Sequence, residues 1–175
     1  MRNLNWIALI GIGLLGSFFE AAPAAEREPV VVTLDEEGSS INDVGFLLTP
    51  SVNAVVQLWG NPDRVKNLAN DIRIWDSLGI RAYSAPGTTF VDSLTFTMQK
   101  QESELSAREI FKGQVNLEEG SITQKSTVND LKKLGFEAVE NLPKFYRFES
   151  LVASILAEID PANGALVTLS VEFSI

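Results

Sequence analysis

Apolar positions recur along the chain at two periods, and residues 49–84 show the change from one to the other most clearly. Val52, Val55, Val56 and Trp59 fall at i, i+3, i+4 and i+7, which is one face of a short helix. Thr49 is expected as its N-cap with Pro50 at the first helical position, and Gly60 followed by Pro62 ends it. A helix of about three turns cannot stand alone and must lie on a sheet. The period then drops to two. Ile72 and Ile74 alternate with Arg73 and Trp75, residues 76–79 turn the chain, and Ile80 and Ala82 alternate with Arg81 and Tyr83. Leu94, Phe96 and Met98 alternate with Thr95 and Thr97 in a third strand.

The flanking pattern extends this unit in both directions. Residues 30–34 are β-branched and read as a strand closed by a turn at 35–38, and residues 46–48 as a second short strand. Residues 99–109 are polar and read as a connection. The plan then restarts: Leu117-Glu118-Glu119-Gly120 echoes residues 34–38, and Thr127-Val128-Asn129 matches Ser51-Val52-Asn53 about 76 residues later. Ser126 or Thr127 is expected to cap a second helix with Val128, Leu131 and Leu134 inward and Gly135 past its end. Strands are expected over 145–148, 151–159 and 166–173, with Val167, Leu169, Val171 and Phe173 on one face of the last. The expected fold is α+β, two tandem helix-on-antiparallel-sheet repeats over residues 26–99 and 111–175, joined by a linker at 100–110.

Residues 1–25 stand apart from that core. Arg2 gives a positive start, residues 7–19 are an uncharged apolar run, and Ala22-Pro23-Ala24 fits a small-x-small cleavage site after Ala24 or Ala25. The run is short for a membrane span, so a secretory signal peptide and a periplasmic or secreted product without stable membrane insertion are expected. The 175-residue chain has no cysteine, so an exported product must be held together by its core rather than by disulfides. With the charges of Arg2 and Glu20 cancelling within the leader, the net charge stays at −9, which repels nucleic acid and anionic bilayers and steers basic partners.

Histidine is absent, which removes Ser-His-Asp machinery and histidine-based zinc sites, and the missing cysteines remove the thiolate versions. Gly11-Ile12-Gly13-Leu14-Leu15-Gly16 matches a dinucleotide-binding string but lies in the leader, where no strand precedes it. Paired carboxylates, Asp35, Glu36 and Glu37 with Glu118 and Glu119, are the one catalytic route left, as acid and base on a glycan. A calcium loop over residues 35–43 lacks regular ligand spacing. No metal and no cofactor is expected.

With the isoleucines turned toward the helix, Arg73, Trp75, Arg81, Tyr83, Thr95 and Thr97 would share the outward face of the sheet. Arginine and aromatic residues are the materials of binding hot spots, so these six are the expected partner-binding residues. Trp59, which continues the helix's apolar face, is expected in the core.

The string Val55-Val56-Gln57-Leu58-Trp59-Gly60-Asn61-Pro62, followed by a strand bearing Trp75, resembles the SmpA/OmlA (BamE) family, in which a helix ends in Gly-x-Pro and an aromatic strand follows. The doubling of the unit is similar to the β-lactamase inhibitor protein family, and residues 74–83 resemble a bacterial exported domain family of unknown function. These resemblances imply two repeats whose strands form a concave surface that clamps another protein. The second copy departs from the pattern, since no Gly-x-Pro follows Leu134-Gly135-Phe136 and Ser150 stands near where a tryptophan belongs. BamE-type members also carry a lipid-anchoring cysteine that is missing here. The expected function is therefore a non-enzymatic protein-binding module, in its narrowest form an inhibitor or immunity protein against an envelope-acting toxin or hydrolase. The alternatives are an envelope-assembly accessory protein and a carboxylate-dependent glycan hydrolase.

Overall fold

The computed structural model describes residues 28–46 and 49–174, so the expected leader, and Leu47 and Leu48 of the expected second strand, lie outside the described residues. Strand β1 (Val31–Asp35) alternates as the pattern requires, with Val32 and Leu34 buried and Val31 and Thr33 half-buried. Its turn is built by Asp35, whose Oδ1 accepts from the N–H groups of Glu37 and Gly38 at 3.0 and 3.1 Å. Strands β2 (Gly38–Ile41) and β3 (Val44–Phe46) follow.

Helix α1 (Val52–Trp59) starts two residues later than expected. Ser51 is the N-cap, its Oγ accepting from the Ala54 N–H at 3.1 Å, and Pro50 precedes the cap. Gly60 ends the helix at φ 81°, with its N–H donating to Val56 O. Strands β4 (Arg64–Asn67), β5 (Asp71–Trp75), β6 (Ile80–Ser84) and β7 (Ser93–Thr97) come next. Then β8 (Gln114–Leu117), β9 (Gly120–Ile122) and helix α2 (Val128–Lys133) lead into β10 (Glu137–Ala138), β11 (Phe145–Glu149), β12 (Ala153–Ile159) and β13 (Leu166–Phe173). Thr127 opens α2, its N–H and hydroxyl both donating to Asp130 Oδ2.

The α+β expectation of β-lactamase-inhibitor-like, helix-on-sheet repeats is overturned. The described chain is mostly β, with a five-stranded sheet ordered β3-β2-β1-β8-β9 and an eight-stranded sheet ordered β10-β11-β12-β13-β7-β6-β5-β4. The two helices have only 8 and 6 residues. Gly- and Ser-rich β2 and β9 and the polar β4 carry no strand pattern of their own, yet each pairs with its neighbour. Val32, Leu34 and Val115 of the smaller sheet share one core with Ile80, Phe96, Ile155 and Leu169 of the larger, which makes the arrangement sandwich-like. Val55, Trp59 and Leu131 bring the two helices into that same core.

In chain order a hairpin, a short helix and four strands run from β1 to β7 and again from β8 to β13, with β3 added in the first half. The two sets of four strands merge into one sheet along the antiparallel β7–β13 seam. In the smaller sheet the halves meet again, where β1 and β8 run parallel.

Candidate partner-binding face

The registers assign each side chain of the large sheet to a face. Trp75, Ile80, Phe96, Leu169 and Ala157 are successive cross-strand partners, and all are buried in the core. One position along, Ile74, Arg81, Thr95, Ser170 and Leu156 form a row on the opposite face. A further row there runs Ile72, Tyr83, Ser93, Glu172 and Ser154. Trp75 therefore belongs with Ile80 and Ala82, and Ile72 and Ile74 belong with Arg81 and Tyr83, the reverse of the expected assignment within β5.

The six expected binding residues separate accordingly. Trp75 is 1% exposed, donates from Nε1 to Gly60 O at 2.9 Å, and meets Trp59 edge-on with centroids 5.3 Å apart. It is core, and its expected outward position is corrected. Arg73 lies opposite Ala82 on the core side, half-buried at the margin, with Nη2 3.9 Å from Asp71 and Nη1 donating to Ser84 Oγ at 3.4 Å. Arg81, Tyr83, Thr95 and Thr97 stay together on the outer face, with Arg81 and Tyr83 half-buried and both threonines buried.

Part of that face is covered by the chain itself. Residues 104–109, within the expected linker, lie across the β4–β6 end as a strap. Ala107 seals Ile72 and Ile74, with Leu105 and Tyr83 packed beside them. The strap is held by carbonyl groups: Glu104 O and Ser106 O accept from Arg64 at 2.6 and 2.8 Å, and Leu105 O accepts from Arg81 Nη1 at 2.9 Å. Arg64 is in turn paired with Asp76.

Beside the strap the face is polar and uncovered, forming a shallow basin of about 550 Å³ lined by Arg81, Tyr83, Ser93, Thr95, Ser170 and Glu172 among others. The Arg81 guanidinium sits 5.8 Å from the Tyr83 ring centroid. Thr95 and Ser170 share a hydroxyl–hydroxyl hydrogen bond of 2.9 Å across the seam. Ser170 and Glu172 were not among the expected residues. Their signal is present in β13, where Thr168, Ser170 and Glu172 alternate with Leu169, Val171 and Phe173, but nothing local says that β13 lies beside β7.

The candidate carboxylates assemble elsewhere. Parallel pairing of β1 with β8 sets Asp35 and Glu36 beside Glu118 and Glu119 at one end of the smaller sheet, around a separate cleft. All four are exposed, as is the fifth, Glu37, which lies outside that cleft, and Asp35 serves its own turn. Among the described residues no group of three or more acidic side chains is arranged to hold a metal ion, and no helix is long and apolar enough to cross a membrane.

Residues 31–132 match the family described as Domain of unknown function (DUF7738), and the chain belongs to that family. The match starts at β1 and ends inside α2, so it takes in the strap and the first half of the large sheet. No curated protein matches the chain. Among solved structures, an extracellular protein containing an SCP domain from Bacillus anthracis str. Ames is similar to it, with a TM-score of 0.48 and 8% identity over 71% of this chain. The chain spans 43% of that protein's length.

Proposed function

We propose that this protein is an exported, non-enzymatic binding module that grips another protein through the uncovered polar half of its large sheet. The observation that carries the reading is the contrast across one face: the chain straps its own residues over Ile72 and Ile74, with Arg81 and Tyr83 at the strap's border, but leaves the neighbouring basin toward Ser93, Ser170 and Glu172 open. A sheet with a packed core behind it presents such side chains with little entropy left to lose on binding. A half-buried tyrosine beside an arginine supplies contact area with a polar edge, while Glu172 at the rim favours a partner bearing a complementary cation. The apolar leader-like run at residues 7–19 supports export. In its narrowest form the module is an inhibitor or immunity protein for an envelope-acting toxin or hydrolase.

The test is comparative capture. Mature protein and its Tyr83→Ala/Glu172→Arg variant are used to pull partners from envelope and culture-fluid fractions, with thermal melts run in parallel. The reading expects one partner, retained by the parent and lost by a variant that melts only about 2–4 °C lower. Equal retention by both would overturn the face. An envelope hydrolase as that partner, inhibited by the parent, supports the narrow form.

A further inference from the structure

The end of the smaller sheet carries a separate cleft, away from the polar face. In the parallel pair, Val32 lies opposite Val115 and Thr33 opposite Asn116, so the turns that follow, at 35–38 and 117–120, leave the sheet side by side. Between them and the end of α2 lies a cleft of about 310 Å³, at the lower end of the range that holds a ligand. Its floor is apolar: Leu34 and Leu117 from the paired strands, Leu134 from the end of α2, and Phe148 from β11. Phe148 is fixed by stacking on Phe136 with centroids 5.4 Å apart. Gly135, at φ 87°, borders the floor beside the Phe148 ring.

Two features point to an occupant. Leu151 stands at the mouth 84% exposed, an apolar side chain set beside an apolar hollow. The rim is acidic, with Glu36, Glu118 and Glu119 making no ion pair among the described residues, and no lysine or arginine lines the cleft. A group that buries a hydrocarbon body while placing positive charge at the edge satisfies both. A second copy of this chain, with net charge −9, is disfavoured by that rim.

We propose that the cleft receives a segment of a partner polypeptide, with an apolar side chain as its anchor and lysine or arginine on either side. The anchor occupies the hollow between Leu34, Leu117, Leu134 and Phe148 and covers Leu151, while its flanking cations face the glutamates of the two turns.

The experiment uses the mature protein with labelled leucine methyl groups and two acetylated, amidated peptides, Lys-Leu-Lys-Phe-Lys and Glu-Leu-Glu-Phe-Glu. The basic peptide is expected to shift the methyls of Leu34, Leu117, Leu134 and Leu151 saturably, and the acidic one to leave them in place. Leu151→Ser, harmless to the fold because the residue is exposed, is expected to weaken binding about tenfold, and so is Glu36→Gln/Glu118→Gln/Glu119→Gln. Core signals of Leu94 and Leu169 report that each variant is folded. Absence of shifts at the cleft, equal response to both peptides, or full binding by the triple variant would overturn the proposal. Tighter binding of dodecyltrimethylammonium than of the basic peptide would overturn the polypeptide as occupant and assign a small cationic amphiphile.

Discussion

Arg64 and Asp76 meet side-on, Nε donating to Oδ2 at 2.8 Å and Nη2 to Oδ1 at 2.6 Å. This two-bonded pair lies at the edge of the large sheet, and the same arginine holds two carbonyls of the strap while the Arg108 N–H donates to Asp76 Oδ1 at 2.9 Å. One guanidinium thus joins the sheet to the segment that covers it. With the two side chains 22% and 13% exposed, water screens the pair only weakly. Asp76→Asn removes an acceptor of charge-assisted bonds and is expected to cost about 2 kcal/mol in equilibrium urea unfolding.

The same pair sets a pH dependence. The hydrogen bond from Arg64 holds the Asp76 carboxyl below its ordinary value, with the Arg108 N–H assisting and burial opposing. A carboxyl lowered on folding contributes stability that is complete above its unfolded value of about 3.9 and is lost as pH falls through the lower, folded value. The parent and Asp76→Asn should therefore differ in unfolding free energy at neutral pH and converge as the pH falls through the lowered, folded value of Asp76.

Trp75→Ala is expected to be severe. It empties a fully buried indole site beside Trp59 and abandons the bond to Gly60 O, a loss of about 3–5 kcal/mol. Tyr83→Ala, on the outer face, should cost about 1 kcal/mol. Differential scanning calorimetry of the two variants distinguishes a core residue from a surface one.

Gly79 and Gly87 form a controlled comparison. Both have positive φ, 74° and 78°, so alanine at either pays the left-handed strain of about 1 kcal/mol. At Gly87 an added methyl meets open space, whereas at Gly79 it overlaps the backbone of Ile110 and Phe111. That backbone is tied down, since the Phe111 N–H donates to Thr97 O at 2.7 Å. Gly79→Ala should therefore lower the melting temperature far more than Gly87→Ala.

Across the seam, Thr95→Val leaves the Ser170 hydroxyl without its partner and should cost about 1 kcal/mol. Adding Ser170→Ala should recover part of that loss, a non-additivity that chemical denaturation of the two single variants and the double variant reads directly.

The strands with strong alternation were legible in the sequence. Leu94, Phe96, Leu169, Val171 and Phe173 are buried as their spacing requires, and Trp59 is core. Face assignment failed within β5 for one reason. The turn at 76–79 places Trp75 directly opposite Ile80, so odd positions of β5 share a face with even positions of β6. Matching isoleucines to isoleucines across the hairpin slipped the register by one and exchanged Trp75 with Ile74. The polar strand β4 and the Gly-Ser strand β2 carry no hydrophobic pattern of their own, so only their neighbours reveal them. The strap was invisible as a cover because most of its polar grip comes from backbone carbonyl and N–H groups, which carry no sequence signal. Of the outer face, Arg81, Tyr83 and Thr95 were legible, while Ser170 and Glu172 required knowledge of a strand pairing 75 residues apart in the chain.

The β7–β13 seam means that neither half of the chain owns a complete sheet. Severing the backbone within residues 99–103, ahead of the strap's buried Ser106 and Ala107, should yield a nicked protein that stays assembled without a peptide link. Either fragment expressed by itself would present the bare flank of a central strand and precipitate, yet the two made together should regenerate the parent. Fragment complementation is thus built into the topology, and fusing reporters to the severed ends would turn the molecule into a sensor of its own reassembly.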